Sequence, residues 1–164
     1  MRTLQTALLW LVAIGILAFV NYGIYGKETL IREGEPVLLE LAPVDPRSLI
    51  QGDYMVLRYA IAADLEQTEL PARGKLVIRL DENQVARFVR LDDGSPLAND
   101  ERLLNYYKHD WSLDLGAGSF FFQEGTAELY EDAVYGELRV DESGGSILVG
   151  LRGDTFETLG PLPK

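Results

Sequence analysis

The sequence predicts a mostly β domain, a small barrel or sandwich, with one N-terminal transmembrane helix and one short helix in the soluble part. Three observations predict it. Residues 7–20, ALLWLVAIGILAFV, form an unbroken uncharged run. From residue 36 the apolar pattern changes to period two, in short stretches divided by turn residues. Only one later stretch, residues 126–133, carries helical start signals.

Extended to Tyr25, the apolar run reaches 19 residues, close to the ~20 that cross ~30 Å of hydrocarbon. Trp10 lies within it, and Tyr22 and Tyr25 stand at its far end, where an aromatic belt belongs. Arg2 and the α-amine precede the run, whereas Lys27, Glu28, Arg32, Glu33 and Glu35 follow it with a net negative sum. The positive-inside rule therefore expects a single pass, the N-terminus in the cytoplasm and the rest outside. A cleaved leader would show small residues at alternate positions near its cut, and Phe19, Val20, Tyr22 and Ile24 are bulky. The expected organisation is a cytoplasmic N-terminus and anchor over residues 1–26, a charged connector over 27–35, and an extracytoplasmic β domain over 36–164.

Residues 36–41, PVLLEL, read as the first strand of that domain. In residues 54–61, YMVLRYAI, Met55, Leu57, Tyr59 and Ile61 share one face, and Tyr54, Val56, Arg58 and Ala60 the other. KLVIRL, the turn DEN and VARFVRL read as a hairpin over residues 75–91. Residues 92–100 are a loop. RLLNYY and WSLDL read as strands around Lys108 and His109, and SFFF at 119–122 as a short buried strand. TAELYEDA is the helical stretch, with Thr126 to cap it and Glu128 suited to the dipole at its start. GELRV and SILVGL flank DESGG as a last hairpin.

The formal net charge is −11, with no cysteine and a single histidine. Such acidity, without Lys/Arg clusters, argues against nucleic acid and against docking on anionic lipid. Disulfides and thiol chemistry are excluded, a zinc site of the usual N/S type is out of reach, and no cofactor is expected. The acidic loop with Asp92, Asp93, Asp100 and Glu101 lacks the alternate spacing of a calcium loop. His109, between Lys108 and Asp110, reads as an exposed residue.

The densest stretch is DPRSLIQGDYMVLRY, residues 45–59. Asp45 before Pro46 is pushed to extended geometry and can cap one turn with Pro46 at its first position. Gly52 can end that turn. Asp45, Pro46 and Gly52 thus have a sufficient structural explanation. Arg47, Asp53, Tyr54 and Tyr59 have less of one, since Asp is disfavoured at a strand's start. They read either as local pairs or as a polar cluster at a barrel mouth.

Residues 52–59, GDYMVLRY, resemble the naming motif of the GDYXXLXY protein family at every fixed position. PVDPRSL upstream and FFFQEGTAELYEDAVYGELRV downstream are also similar to that family. The resemblance implies a protein anchored in the bacterial cytoplasmic membrane, encoded beside multi-pass membrane proteins, and it supplies no reaction. The same stretch is distantly similar to the type I signal peptidase box, Ser-Met-x-Pro-Thr-Leu-x-x-Gly-Asp. Aligned on Gly52 and Asp53, the box puts its nucleophilic serine on Val44, which cannot attack a carbonyl. Ser48 could serve only beside a base such as Lys75, Lys108 or His109, and no spacing brings one to it.

The expected function is a binding or accessory module held to the bilayer through residues 7–25 and working with a multi-pass membrane partner. Arg47, Asp53, Tyr54, Tyr59, Glu124, Tyr130, Tyr135 and Arg139 are its candidate recognition residues, because Tyr and Arg combine apolar area with directed hydrogen bonds. Gly15 and Gly23, eight residues apart, share one helical face that could meet a partner helix. The alternative is a hydrolase using Asp53 and Glu124, with Glu124 in an apolar setting after three phenylalanines.

Overall fold

The computed structural model describes residues 2–42, 54–65, 68–109, 112–116 and 118–161. The expected sites at Val44, Asp45, Pro46, Arg47, Ser48, Gly52 and Asp53 lie outside these residues.

Helix α1 runs from Arg2 to Glu33, about 48 Å at ~1.5 Å per residue. Its stretch Leu8–Glu33 is long and apolar enough to cross a membrane. The large apolar side chains between Leu8 and Tyr25 are 48–79% exposed, so this is no core helix. The one amide in the run satisfies itself, Asn21 Nδ2 donating to the Leu17 carbonyl at 2.8 Å. The expected connector is helix for most of its length. Residues 27–33 contain good helix formers and no Gly or Pro, so α1 continues through them. Gly34 alone separates it from β1 (Glu35–Glu40).

The domain is mostly β, two four-stranded sheets curled as half-barrels and one two-stranded ribbon. The first sheet has the order β1–β8–β9–β10, with β8 at Tyr135–Val140, β9 at Ser146–Arg152 and β10 at Thr158–Leu159. The second has the order β4–β3–β5–β6, with β3 at Arg73–Leu80, β4 at Ala86–Leu91, β5 at Glu101–His109 and β6 at Ser112–Asp114. β2 (Tyr54–Val56) pairs with β7 (Ser119–Phe121) in the ribbon. All named pairings are antiparallel. The two large sheets meet at β1, where Leu38 N–H donates to the Gln84 carbonyl at 2.9 Å. Val37, Leu39, Leu76, Ile78, Leu104 and Leu138 fill the interior between them.

Both expected hairpins form, and their turns carry the expected chemistry. Asp81 Oδ1 accepts from the N–H groups of Asn83 and Val85 at the β3–β4 turn. At the β8–β9 turn Asp141 Oδ1 accepts from the N–H groups of Ser143 and Gly145 and from the Ser143 hydroxyl. Gly144 there adopts φ +88°, which a side chain would oppose.

Three expected elements differ. The strand over residues 54–61 stops at Val56, and α2 (Ala60–Leu65) follows. Ile61, Ala62 and Leu65 fall on one buried helical face, so the last apolar residue of the alternation serves a helix instead. Residues 126–133 hold only a 3₁₀ turn, Ala127–Tyr130. Thr126 makes no side-chain cap to it, because its hydroxyl donates backwards to the Gln123 carbonyl at 2.6 Å. β7 is not a buried strand, since Phe121 is 74% exposed.

Candidate functional site

The motif strand and its neighbour build the most distinctive surface of the domain. Along residues 55–59 the alternation holds, with Met55, Leu57 and Tyr59 in the core and Arg58 exposed. Leu57 N–H donates to the Gly118 carbonyl at 2.9 Å, and Ala42 N–H to the Arg58 carbonyl at 2.7 Å. The motif is thus tied to β7 on one side and to the end of β1 on the other. Tyr54 faces outward and packs on Phe121, its directly opposed neighbour, with ring centroids 5.5 Å apart.

β7 in turn forms one wall of a groove of about 610 Å³. β9 forms the opposite wall, β10 and Pro161 close part of the rim, and Ile31 of α1 reaches its edge. Tyr130 lies beneath, wedged between Phe120 at 5.0 Å and Phe122 at 5.4 Å. Among the described residues, no Asp, Glu, Lys, Arg or His lines the groove. Its polar groups are those of Ser119, Gln123, Thr158 and Tyr130, together with the backbone. Such a concave, apolar surface with few polar groups is the usual form of a recognition site.

Burial reassigns two of the expected recognition residues. Tyr59 is core, its ring against the backbone of Gly136, and burial followed by the charge of Asp114 pushes its phenol well above the ordinary range. Tyr130 is also buried and meets the groove only from below. Tyr135 stacks on Phe156 at 5.2 Å, on the opposite flank of β9's C-terminal end. Arg139 points at the foot of α1, its Nη1 donating to the Gly34 carbonyl at 3.5 Å. Glu124 is exposed, so the apolar setting expected for it is absent. The six described residues of the eight therefore do not form one cluster. Tyr54 and Tyr130 flank the groove, Tyr135 and Arg139 belong to other surfaces, and Arg47 and Asp53 lie outside the described residues. Lys108, a candidate base for Ser48, donates to the Thr68 carbonyl at 3.2 Å.

Cross-strand ion pairs add charge chemistry that no local sequence pattern announces. Glu137 on β8 is 5% exposed. Arg152 on β9 grips one of its oxygens with Nε and Nη2, both at 2.7 Å, and Arg139 lies 3.6 Å from the other. At the foot of α1, Arg102 of β5 forks onto Glu35, the first residue of β1. No spacing in the sequence reveals these pairs, because each depends on strand register. The groove has a weak sequence signal in FFF, although which phenylalanine is outward is also a matter of register.

A small β domain carried on one long apolar helix has the form of a single-pass membrane-type protein. The GDYXXLXY protein family matches over residues 16–151, and the chain belongs to that family. Neither a search of curated proteins nor one of solved structures finds a match.

Proposed function

We propose that the protein is a membrane-anchored accessory module that docks a membrane partner through the groove between β7 and β9. The carrying observation is the groove itself, an uncharged apolar surface on a chain of net charge −11. An acidic protein whose described residues keep one recess free of charged side chains is suited to desolvating that recess against a partner. The foot of α1 supports the reading. Only Gly34 separates helix from sheet, Arg139 holds its carbonyl, and Arg102 clamps Glu35. A domain joined in this way presents its groove at a constrained height above the bilayer, within reach of a neighbouring membrane protein.

The charge asymmetry around the helix favours a cytoplasmic N-terminus and an extracytoplasmic domain. The family resemblance favours the bacterial cytoplasmic membrane and a multi-pass partner. No observation favours the carboxylate-pair hydrolase, given that Glu124 is an exposed residue on the loop after β7. The test is affinity purification of the full-length protein in mild detergent beside Phe121→Asp. A multi-pass protein recovered with the native chain and lost with the variant is the expected result. Recovery of none with either removes the proposal.

A further inference from the structure

β9 is paired along its whole length with β8, while on its other side β10 covers only Leu151 and Arg152. Residues 147–150 make no further backbone hydrogen bond on that side to any described residue. All four line the groove. Successive strand residues point to opposite faces, so four in a row border one space only where that space runs along the strand's edge. The same holds across the groove, where residues 119–123 of β7 and its extension line the other wall. β7 spends its far edge on β2. The groove is thus a slot between two strand edges, pinned near one end where the Ser146 hydroxyl donates to the Leu115 carbonyl at 3.1 Å.

We infer that this slot takes an extended, uncharged, alternately apolar segment of another polypeptide, added as a strand to the open edge of β9. The inference rests on the accessory-module reading and specifies its docking chemistry. The four-residue edge is about 13 Å long at ~3.3 Å per residue, room for a short added strand. Phe120, Phe122, Leu148 and Leu159 pack against the core from this side and would receive every second side chain of the guest. Lipid is the poorer occupant, because an acyl chain would leave the N–H and C=O groups of the edge unpaired in hydrocarbon. A second copy is the poorer peptide, because two chains of −11 repel. Among the described residues the edge also lacks the usual protection. Ile147, Leu148, Val149 and Gly150 carry no charge and no proline, and the bulge opposite Glu137 and Leu138 is their one blunting feature.

The experiment uses full-length protein in detergent micelles and a biotinylated pool of ten-residue peptides alternating Val, Ile or Leu with Ser or Thr. A matched pool is N-methylated at alternate residues, which removes edge donors and keeps the side chains. At least tenfold greater retention of the unmethylated pool is expected, with at least tenfold loss in Val149→Pro and in Phe121→Asp. Phe121 is exposed enough that its substitution leaves the fold intact, which covers the risk that proline unfolds β9. Equal retention of the two pools, retention of neither, or loss of retention through self-association seen by sedimentation overturns strand addition. The purification above separates the two ideas. A partner still captured by Val149→Pro overturns strand addition and leaves the accessory role standing, whereas no partner on the native chain removes the role itself.

Discussion

Replacing Arg152 by alanine tests the more deeply buried of two carboxylates neutralised across strands among the described residues, Glu137 and Glu101. Glu137 would lose both 2.7 Å contacts and keep only Arg139 at 3.6 Å. Breaking a fully buried pair from one side costs about 3–5 kcal/mol. The Arg152 side chain is 28% exposed and Arg139 remains, so the expected cost falls to about 2–3 kcal/mol. Arg152 also donates to the Phe156 carbonyl at 3.0 Å, which holds a residue at φ +65°, so the loop before β10 loosens as well. For a domain of this size the melting temperature should drop by roughly 6–12 °C. The assay is urea and thermal unfolding of the full chain in detergent, followed by tyrosine near-ultraviolet dichroism, to which buried Tyr59 and Tyr106 contribute. Glu137→Gln removes the stranded charge, so the double variant should cost at least about 1 kcal/mol less than the sum of the single costs. A loss below about 0.5 kcal/mol for Arg152→Ala, or a coupling near zero, would mean that water already solvates Glu137 and would refute the argument.

Other perturbations have equally definite outcomes. Gly160 sits at φ +69°, and a β-carbon there would lie 2.2 Å from the Tyr130 hydroxyl. Gly160→Ala should therefore cost about 2–3 kcal/mol, read by the same unfolding assay. Burial holds the Tyr59 phenol neutral in the fold while the unfolded phenol ionises near pH 10. The Tyr59 contribution to stability should therefore be level below that pH and decline above it, and Tyr59→Phe should flatten the decline. Partial desolvation raises the Asp141 carboxyl, but the Ser143 hydroxyl and the N–H groups of Gly145, Ser143 and Gly144 outweigh it and hold it low. Its contribution is present above the ordinary carboxylate range, near pH 4, and is lost as pH falls through the depressed value. Asp141→Asn should weaken the acid dependence of unfolding, measured from pH 5 down to pH 2.

Period two and turn chemistry made most of the sheet legible. The hairpins at residues 75–91 and 135–152 follow from alternation broken by an aspartate whose carboxylate collects backbone N–H groups. Ala60–Leu65 was hidden because a short apolar run satisfies both periods until its length is known, and Ile61 is inward in either. The helical foot of α1 was hidden because charge reads as loop, although Lys, Glu and Arg are good helix formers and only Gly34 breaks the run. The candidate site was less legible than the fold. Tyrosine chemistry flagged Tyr54 and Tyr59 alike, yet whether a tyrosine offers its ring to a partner or fills a core depends on sheet face and packing. The partners of Arg139 and Arg152 required register across β8 and β9, which no local pattern encodes.

The motif's two fixed tyrosines divide between these tasks, and their division ties the motif to the groove. Leu57 and Tyr59 face inward, and the backbone between them is bound to β1 and to Gly118. They hold the motif strand in place. Tyr54, three residues before Leu57, is on the outer face and steadies Phe121 on β7. β7 has only three paired residues, and one edge of it is committed to β2. A wall so short cannot keep its other edge aligned with β9 by its own hydrogen bonds. The motif strand supplies that alignment from behind. Tyr54, Leu57 and Tyr59, none of which lines the groove, therefore back one of its walls, and under the proposed docking these three positions need touch no ligand to matter.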